Sequence, residues 1–206
     1  MQENAKYLPA LGLHFLTPLY DPLVRWFMPE CKIKNRLLRQ AAIKENQRVL
    51  DVGCGTGTLA ILIKQVHPGA NVVGLDPDPE VLAIALRKAE KLGQRLALDK
   101  GFAMRLPYPD ESFDHIFSSF VFHHLTTHNK HRTLAEAFRV LRHGGQLYVA
   151  DFARPNKSLL VMLAEEGFEQ IQRFAHYRTL FGPVSLWCAL SGKRTPLKKH
   201  EATTYS

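Results

Sequence analysis

The spacing of apolar residues changes period along the chain. Residues 47–52 form a short run rich in Val and Leu, the pattern of a strand buried on both faces. After Gly53-Cys54-Gly55-Thr56-Gly57, Leu59, Leu62, Ile63 and Val66 recur at i, i+3, i+4 and i+7, a helical stripe. The same alternation continues downstream. Strands are predicted over 71–75, 95–98, 115–119 and 146–150. A helix running to about residue 92 buries Leu82, Ala85, Leu86 and Ala89, and one over 130–141 buries Leu134, Ala137, Phe138 and Leu141. Asp78-Pro79-Glu80 reads as an N-cap, a first-turn proline and a first-turn acid. Arg142-His143-Gly144-Gly145 reads as a glycine cap that ends the later helix. A short helix over 158–166 then precedes two alternating segments, 168–177 and 184–190, which predict a hairpin turning at Gly182-Pro183.

Ahead of the first strand lies an apolar, aromatic stretch over 24–28 and a helical one over 33–43, with Leu37, Leu38 and Ala41 inward. The pattern divides the chain into an N-terminal helical cap over 1–46, a main α/β domain over 47–192 and a basic tail over 193–206, expected to be frayed.

The first strand, the glycines and the helix form the opening of a nucleotide-binding βαβ unit, with helix amides facing a ligand. The spacing distinguishes ligands. Dinucleotide sites use G-x-G-x-x-G. Here the glycines follow G-x-G-x-G, Thr58 holds the last dinucleotide position, and Asp51 stands two before Gly53. A carboxylate there repels a pyrophosphate and attracts an ammonium, so the turn suits a nucleoside carrying an amino acid. Asp51-Val52-Gly53-Cys54-Gly55-Thr56-Gly57 resembles motif I of the class I S-adenosylmethionine methyltransferases. Asp76, 19 residues after Gly57 and followed by Pro77, sits where a carboxylate accepts from both hydroxyls of a ribose.

Further runs carry the same resemblance. Gly101-Phe102-Ala103-Met104-Arg105-Leu106-Pro107-Tyr108-Pro109-Asp110-Glu111-Ser112-Phe113-Asp114 is similar to the family's G-D-A-x-x-L-P-F-x-D-x-S-F-D segment. Ser118-Ser119-Phe120-Val121-Phe122-His123-His124-Leu125 is similar to its S-S-x-x-L-H-H-L segment, and residues 137–152 to its R-V-L-x-P-G-G-x-L element. Tyr20-Asp21 resembles the N-terminal cap of the ubiquinone/menaquinone-biosynthesis group, and reads equally as an N-cap with Pro22 at the first helical position.

The resemblance implies an α/β fold: a Rossmann-like, seven-stranded, mostly parallel sheet with helices on both faces and an antiparallel last strand. It implies S-adenosylmethionine as cofactor. Asp51, Gly53, Cys54, Gly55 and Gly57 would hold its methionyl end and Asp76 with Pro77 its ribose. Phe102 and Ala103 would flank adenine, and Ser118, Ser119 and Tyr20 would line the remaining wall. Phe102 departs from the family, which has an acid there to accept from the adenine amino group; Asp99 is the nearest substitute. Cys54 also reads as a small space-filler.

Bulk composition narrows the partners. The chain has 206 residues, 46% hydrophobic and 22% charged, and a net charge of +8. No apolar run reaches membrane-spanning length and no charged leader precedes an apolar segment. Three cysteines without C-x-x-C spacing point to a reducing compartment, hence the cytoplasm. The positive charge is spread, so no specific nucleic-acid site is expected, whereas peripheral attraction to a membrane surface is compatible with it.

The implied reaction is methyl transfer to a small-molecule or lipid-like quinol acceptor. His123 and His124 are the candidate bases, with a purely structural histidine as the alternative for either. No metal site is expected: His128 and His131 lie near, but no cysteine or carboxylate pair completes a ligand set. A non-catalytic S-adenosylmethionine-binding protein and a nicotinamide-dependent oxidoreductase are the rival readings. Only 16 residues separate Asp151 from Phe168, enough for a crossover and too few for a lid. Closure over the acceptor then falls to residues 1–46, to a second subunit in a homodimer, or to a large acceptor itself.

Overall fold

The structure, a computed structural model, describes residues 30–152 and 158–192. Seven strands are joined by helices in the order α1 (Glu30–Gln40), β1 (Arg48–Val52), α2 (Thr58–Val66), β2 (Asn71–Asp76), α3 (Pro79–Lys91), β3 (Ala97–Lys100), β4 (Phe113–Ser119), a 3-10 turn (Phe122–His124), α4 (Thr127–Val140), β5 (Leu141–Phe152), α5 (Ser158–Glu165), β6 (Phe168–Thr179) and β7 (Gly182–Ser191). They form one sheet, ordered β3-β2-β1-β4-β5-β7-β6. Only β7 runs against the rest, pairing antiparallel with both β5 and β6. The order reverses between β1 and β4, and a doubly wound sheet opens its ligand crevice at the carboxyl ends of those strands.

Burial on both faces explains the apolar strand cores. One face packs Leu50, Val52, Ile116 and Leu147 under Leu134 and Ala137 of α4 and Met162 and Leu163 of α5. The other packs Val49, Val72, Phe117 and Tyr148 under Ile33, Leu37 and Leu38 of α1 and Leu59 and Ile63 of α2. The helical stretch expected over 33–43 is therefore α1, three residues earlier and stopping at Gln40. Asp78 caps α3 by accepting from the Glu80 amide at 2.8 Å, and Thr126 caps α4 by accepting from Asn129 at 3.2 Å.

Three expectations need correction. Arg142–Gly145 is not a helix cap. Helix α4 stops at Val140, Leu141 is already extended, and β5 begins there. Leu141 is buried and pairs with Phe113, which outweighs one more helical turn; residues 142–145 then bulge before Gln146 pairs with His115. Gly145 is required in that bulge, because a Cβ would lie 2.9 Å from the Arg142 carbonyl oxygen and 3.0 Å from that of Asp114. Strand β3 lies two residues later than the apolar pattern indicated, since only Leu98 faces a covered surface and Lys100 pairs with Asp76. The hairpin turns at Leu180-Phe181, two residues before Gly182-Pro183, with the Thr179 hydroxyl donating to the Gly182 carbonyl and accepting from the Phe181 amide.

Candidate active site

The glycine turn at the end of β1 is a backbone cradle. Gly53, Gly55 and Gly57 all take positive φ. Gly53 also lies under Val121 from the β4 loop: a Cβ there would sit 2.4 Å from Val121 Cγ2. Gly55 has nothing within 4 Å on its open side, so a ligand can lie against that backbone. Cys54 is buried and its sulfur fills the space beside Gly74, so it serves as a spacer whose thiol stays neutral under burial. Gly57 caps α2 without a side-chain bond, leaving the helix entrance to the ligand and to Asp51.

Asp51 is fully buried. One carboxylate oxygen accepts from the Ala60 amide at 3.1 Å, and the other has no hydrogen-bond partner. Desolvation pushes its pKa up to about 7, against the pull of buried Lys34 and of the Ala60 amide. A buried acceptor with an unused oxygen fits an ammonium group, which would supply both the missing donor and the opposing charge. Asp76 is similarly enclosed. Its two oxygens accept from the amides of Gly55 at 2.9 Å and Asp78 at 3.0 Å, so it ties the glycine turn to β2. Burial raises its pKa and the two amides oppose the rise. Each oxygen keeps a lone pair for ribose hydroxyls. Pro77 follows, half-buried, at the bend into α3.

Beyond β3, Phe102 is 44% exposed and Ala103 is buried. Their loop is pinned to α4: Leu106 donates its amide to Glu136 at 2.7 Å, and Arg139 donates to the carbonyls of Leu106 and Tyr108. Asp99 accepts from the Tyr108 hydroxyl at 2.9 Å through one oxygen.

At the end of β4 the chain turns sharply. Phe120 has φ of +59°, a costly conformation for a bulky side chain, here held by the hydrogen bond its N–H donates to the Ala150 carbonyl. The turn brings Val121 over Gly53 and aims the next amides at Asp151. That carboxylate, buried at the end of β5, accepts from the amides of Phe122 at 2.7 Å and His123 at 3.3 Å. It also meets His123 Nδ1 at 2.9 Å. An ionised carboxylate only accepts, so Nδ1 carries the proton and Nε2 is the basic nitrogen of the neutral ring. His124 lies 3.9 Å from His123, centroid to centroid, and its pKa is lowered chiefly by burial. Ser118 lines a small internal cavity with Ala103, Phe122 and Thr133, its buried hydroxyl without a hydrogen-bond partner, and Ser119 pairs with Ala150.

The structure thus gathers the glycine turn, Asp51, Asp76, Phe102, Ala103 and the β4 loop at one end of the sheet. Tyr20 lies outside the described residues, as does the tail. Among the described residues no group of three His, Cys, Asp or Glu side chains is placed to hold a metal. Asp151, Val121 and Lys34 belong to the site without standing out in the sequence. Asp151 had one signal: an acid ending the strand that pairs with the one preceding His123-His124.

Comparison with known proteins gives the family and the fold. Residues 49–145 match the family model described as a methyltransferase domain. The chain is 37% identical over 161 residues to a demethylmenaquinone methyltransferase of Thermus thermophilus, spanning 77% of this chain and 72% of the relative. A Deinococcus radiodurans protein of the same name is 38% identical over 58% of this chain, and there the match spans only about half of the relative's length, 49%. The solved YcgJ protein of Bacillus subtilis shares the fold, with a TM-score of 0.69 at 17% identity over 79% of this chain and 99% of that one. The nicotinamide reading therefore falls, and the methyl donor is S-adenosylmethionine. The chain belongs to the class I S-adenosylmethionine-dependent methyltransferases of the menaquinone/ubiquinone type.

Proposed function

We propose that the protein methylates a lipid-like hydroquinone, with His123 as the base that takes the phenolic proton. The observation that carries this reading is the His123–Asp151 pair beside the glycine turn. Asp51 holds the donor's ammonium, Asp76 its ribose, and the open backbone at Gly55 lets it lie close. The bound donor supplies a methyl group already activated on a sulfonium. Its acceptor must then be electron-rich and aligned in water-poor surroundings. Removal of a phenolic proton by His123 Nε2 delocalises charge onto the ring, where a carbon–methyl bond forms as the sulfur–methyl bond breaks and S-adenosylhomocysteine leaves; the methylated carbon then gives up its own proton to solvent and the oxygen regains one from the His123 imidazolium, which restores the aromatic hydroquinone. Asp151 holds the imidazole in the required tautomer and steadies the imidazolium. Phe120 and Phe152, the latter packed edge-on to His123 at 4.9 Å, offer apolar walls for an aromatic ring. The names of the curated relatives support a quinone-type acceptor.

The test is turnover. A water-soluble, short-chain demethylnaphthoquinone kept reduced should yield S-adenosylhomocysteine and a C-methylated ring. Product with unrelated amines or carboxylates alone would contradict the acceptor reading. Three further assignments belong to it: residues 1–46 as the cap over the acceptor, 47–192 as the catalytic domain and 193–206 as a basic tail. Deleting residues 1–29 should then remove turnover and leave donor binding; full turnover in that variant would place the cap elsewhere. A cytoplasmic location fits the three free cysteines.

A further inference from the structure

Strand β6 carries a steep chemical gradient. Its last acid is Glu169, near its start. From residue 170 through the end of β7 there is no acidic residue, while Arg173, His176 and Arg178 are exposed along the edge. The gradient ends in the two-residue turn Leu180-Phe181, whose side chains are 76% and 56% exposed. Charged residues on an edge strand ordinarily discourage pairing with another sheet. That accounts for Arg173, which also lies over Trp187 at 5.8 Å, but not for the turn. Tight hairpin turns favour Gly, Asn, Asp and Ser. Two large apolar side chains at a solvent-facing tip have no role in the core.

The position of the tip matters as much as its composition. β6 runs parallel to β5 and ends on the ligand side of the sheet. Asp151 pairs with Ser185 and Phe152 with Val184, so the tip projects roughly 13 Å past Asp151 at the usual strand rise. Phe152 lies at the base of the hairpin, between the tip and His123. A Cβ on Gly182 would lie 3.8 Å from the Phe152 ring, and that ring packs edge-on to His123. Leu160 and Val161, near the start of α5, are also exposed.

We propose that the β6–β7 tip, Leu180 and Phe181 with Arg178 behind them, docks the enzyme on an anionic lipid bilayer so that its acceptor passes over Phe152 to His123. Apolar insertion and basic attraction together are what a peripheral site on anionic lipid requires, since neither alone anchors a protein stably. The purpose of the surface rests on the lipid-like acceptor proposed above; the docking itself does not.

The full chain is sedimented with vesicles of phosphatidylcholine, with and without phosphatidylglycerol. Binding is expected on the anionic vesicles, weakening with salt. The double variant Leu180→Ser/Phe181→Ser should lower the vesicle affinity by at least about tenfold. Arg178→Glu should lower it on anionic vesicles only. Both variants should keep the thermal midpoint, the donor affinity and turnover of a water-soluble acceptor. Wild type that ignores both vesicle types, or variants that bind as wild type does, would overturn the proposal. So would variants that dissolve a dimer while leaving vesicle binding intact, because the tip would then face a second copy of the chain. Vesicle binding needs no acceptor, so tip-dependent binding without quinol methylation supports the docking surface and removes the acceptor reading alone.

Discussion

The two halves of the sheet build their sites by different means. The β1-β2-β3 side presents backbone: a turn of left-handed glycines, and two buried acids whose oxygens mostly accept from amides. The β4-β5-β7-β6 side presents side chains brought together across strands, His123 on Asp151, Phe152 on His123 and Phe120 near Phe152. The half proposed to hold the donor is built from residues close together in the chain. The acceptor half is assembled from distant segments and opens toward an exposed apolar tip. Binding and chemistry should accordingly separate under mutation.

The largest effect is expected at His123. Removing a general base typically costs about 100- to 10,000-fold in rate. His123→Ala should lose kcat on that scale, and its loss should be smallest at high pH, where the phenol ionises unaided. Steady-state rates across pH 6–9.5 would check this. A variant with unchanged kcat would return His123 to a structural role.

The next effect is on stability. Asp51 has a folded pKa of about 7, above its ordinary value of 3.8, so folding favours the protonated acid. The unfolded chain gives up that proton near its ordinary value. Stability of the ligand-free protein is therefore lost progressively as pH rises from about 4 through 7. Asp51→Asn keeps an acceptor for the Ala60 amide and removes the buried charge. At neutral pH it should stabilise the ligand-free fold by roughly 1–4 kcal/mol, with the gain vanishing toward pH 4. The same variant should bind S-adenosylmethionine more weakly. Denaturant melts at several pH values would show whether the gain exists; a variant less stable than wild type at pH 7.5 would mean that Lys34 already holds Asp51 ionised.

The smallest expected effect sharpens the comparison within the donor half. Phe102→Asp places an acceptor near the adenine amino group, worth about 0.5–1.5 kcal/mol of donor affinity. Calorimetry showing no tighter binding would indicate that Asp99, whose second oxygen is not engaged by Tyr108, already fills that role.

The same contrast explains which parts of the site are legible in the sequence. Asp51, the glycines and Asp76 declare themselves because a strand end, a turn and a helix start are consecutive in the chain, and each residue's constraint is local. The seven-stranded, mostly parallel sheet with an antiparallel last strand followed from the resemblance carried by those runs. The boundary errors share one cause, tertiary pairing that overrides local signals: Leu141 joins β5 because Phe113 pairs with it, although Gly144-Gly145 looks like a helix stop. Asp151 was legible only as an acid at a strand end. Its partnership with His123, 28 residues away, depends on the β4–β5 register and on the unfavourable turn at Phe120, which no periodicity reveals. The tip at Leu180-Phe181 was hidden for a similar reason, since Gly182-Pro183 carries the stronger turn signal while Gly182 in fact opens β7.

The central claim, that one half binds the donor and the other performs the chemistry, is tested most directly by two variants on one preparation. Donor affinity is measured by titration calorimetry and kcat with a short-chain quinol at saturating donor, for Asp151→Asn and Asp76→Ala. Asp151→Asn should leave the donor Kd within about twofold and lower kcat by about 100-fold or more, as expected when the base loses its tautomer. Asp76→Ala should weaken the donor by about 10- to 100-fold through lost charge-assisted hydrogen bonds, with kcat near wild type once the donor saturates. The account is contradicted if Asp151→Asn weakens donor binding as much as it slows turnover, or if Asp76→Ala lowers saturated kcat while Kd stays unchanged.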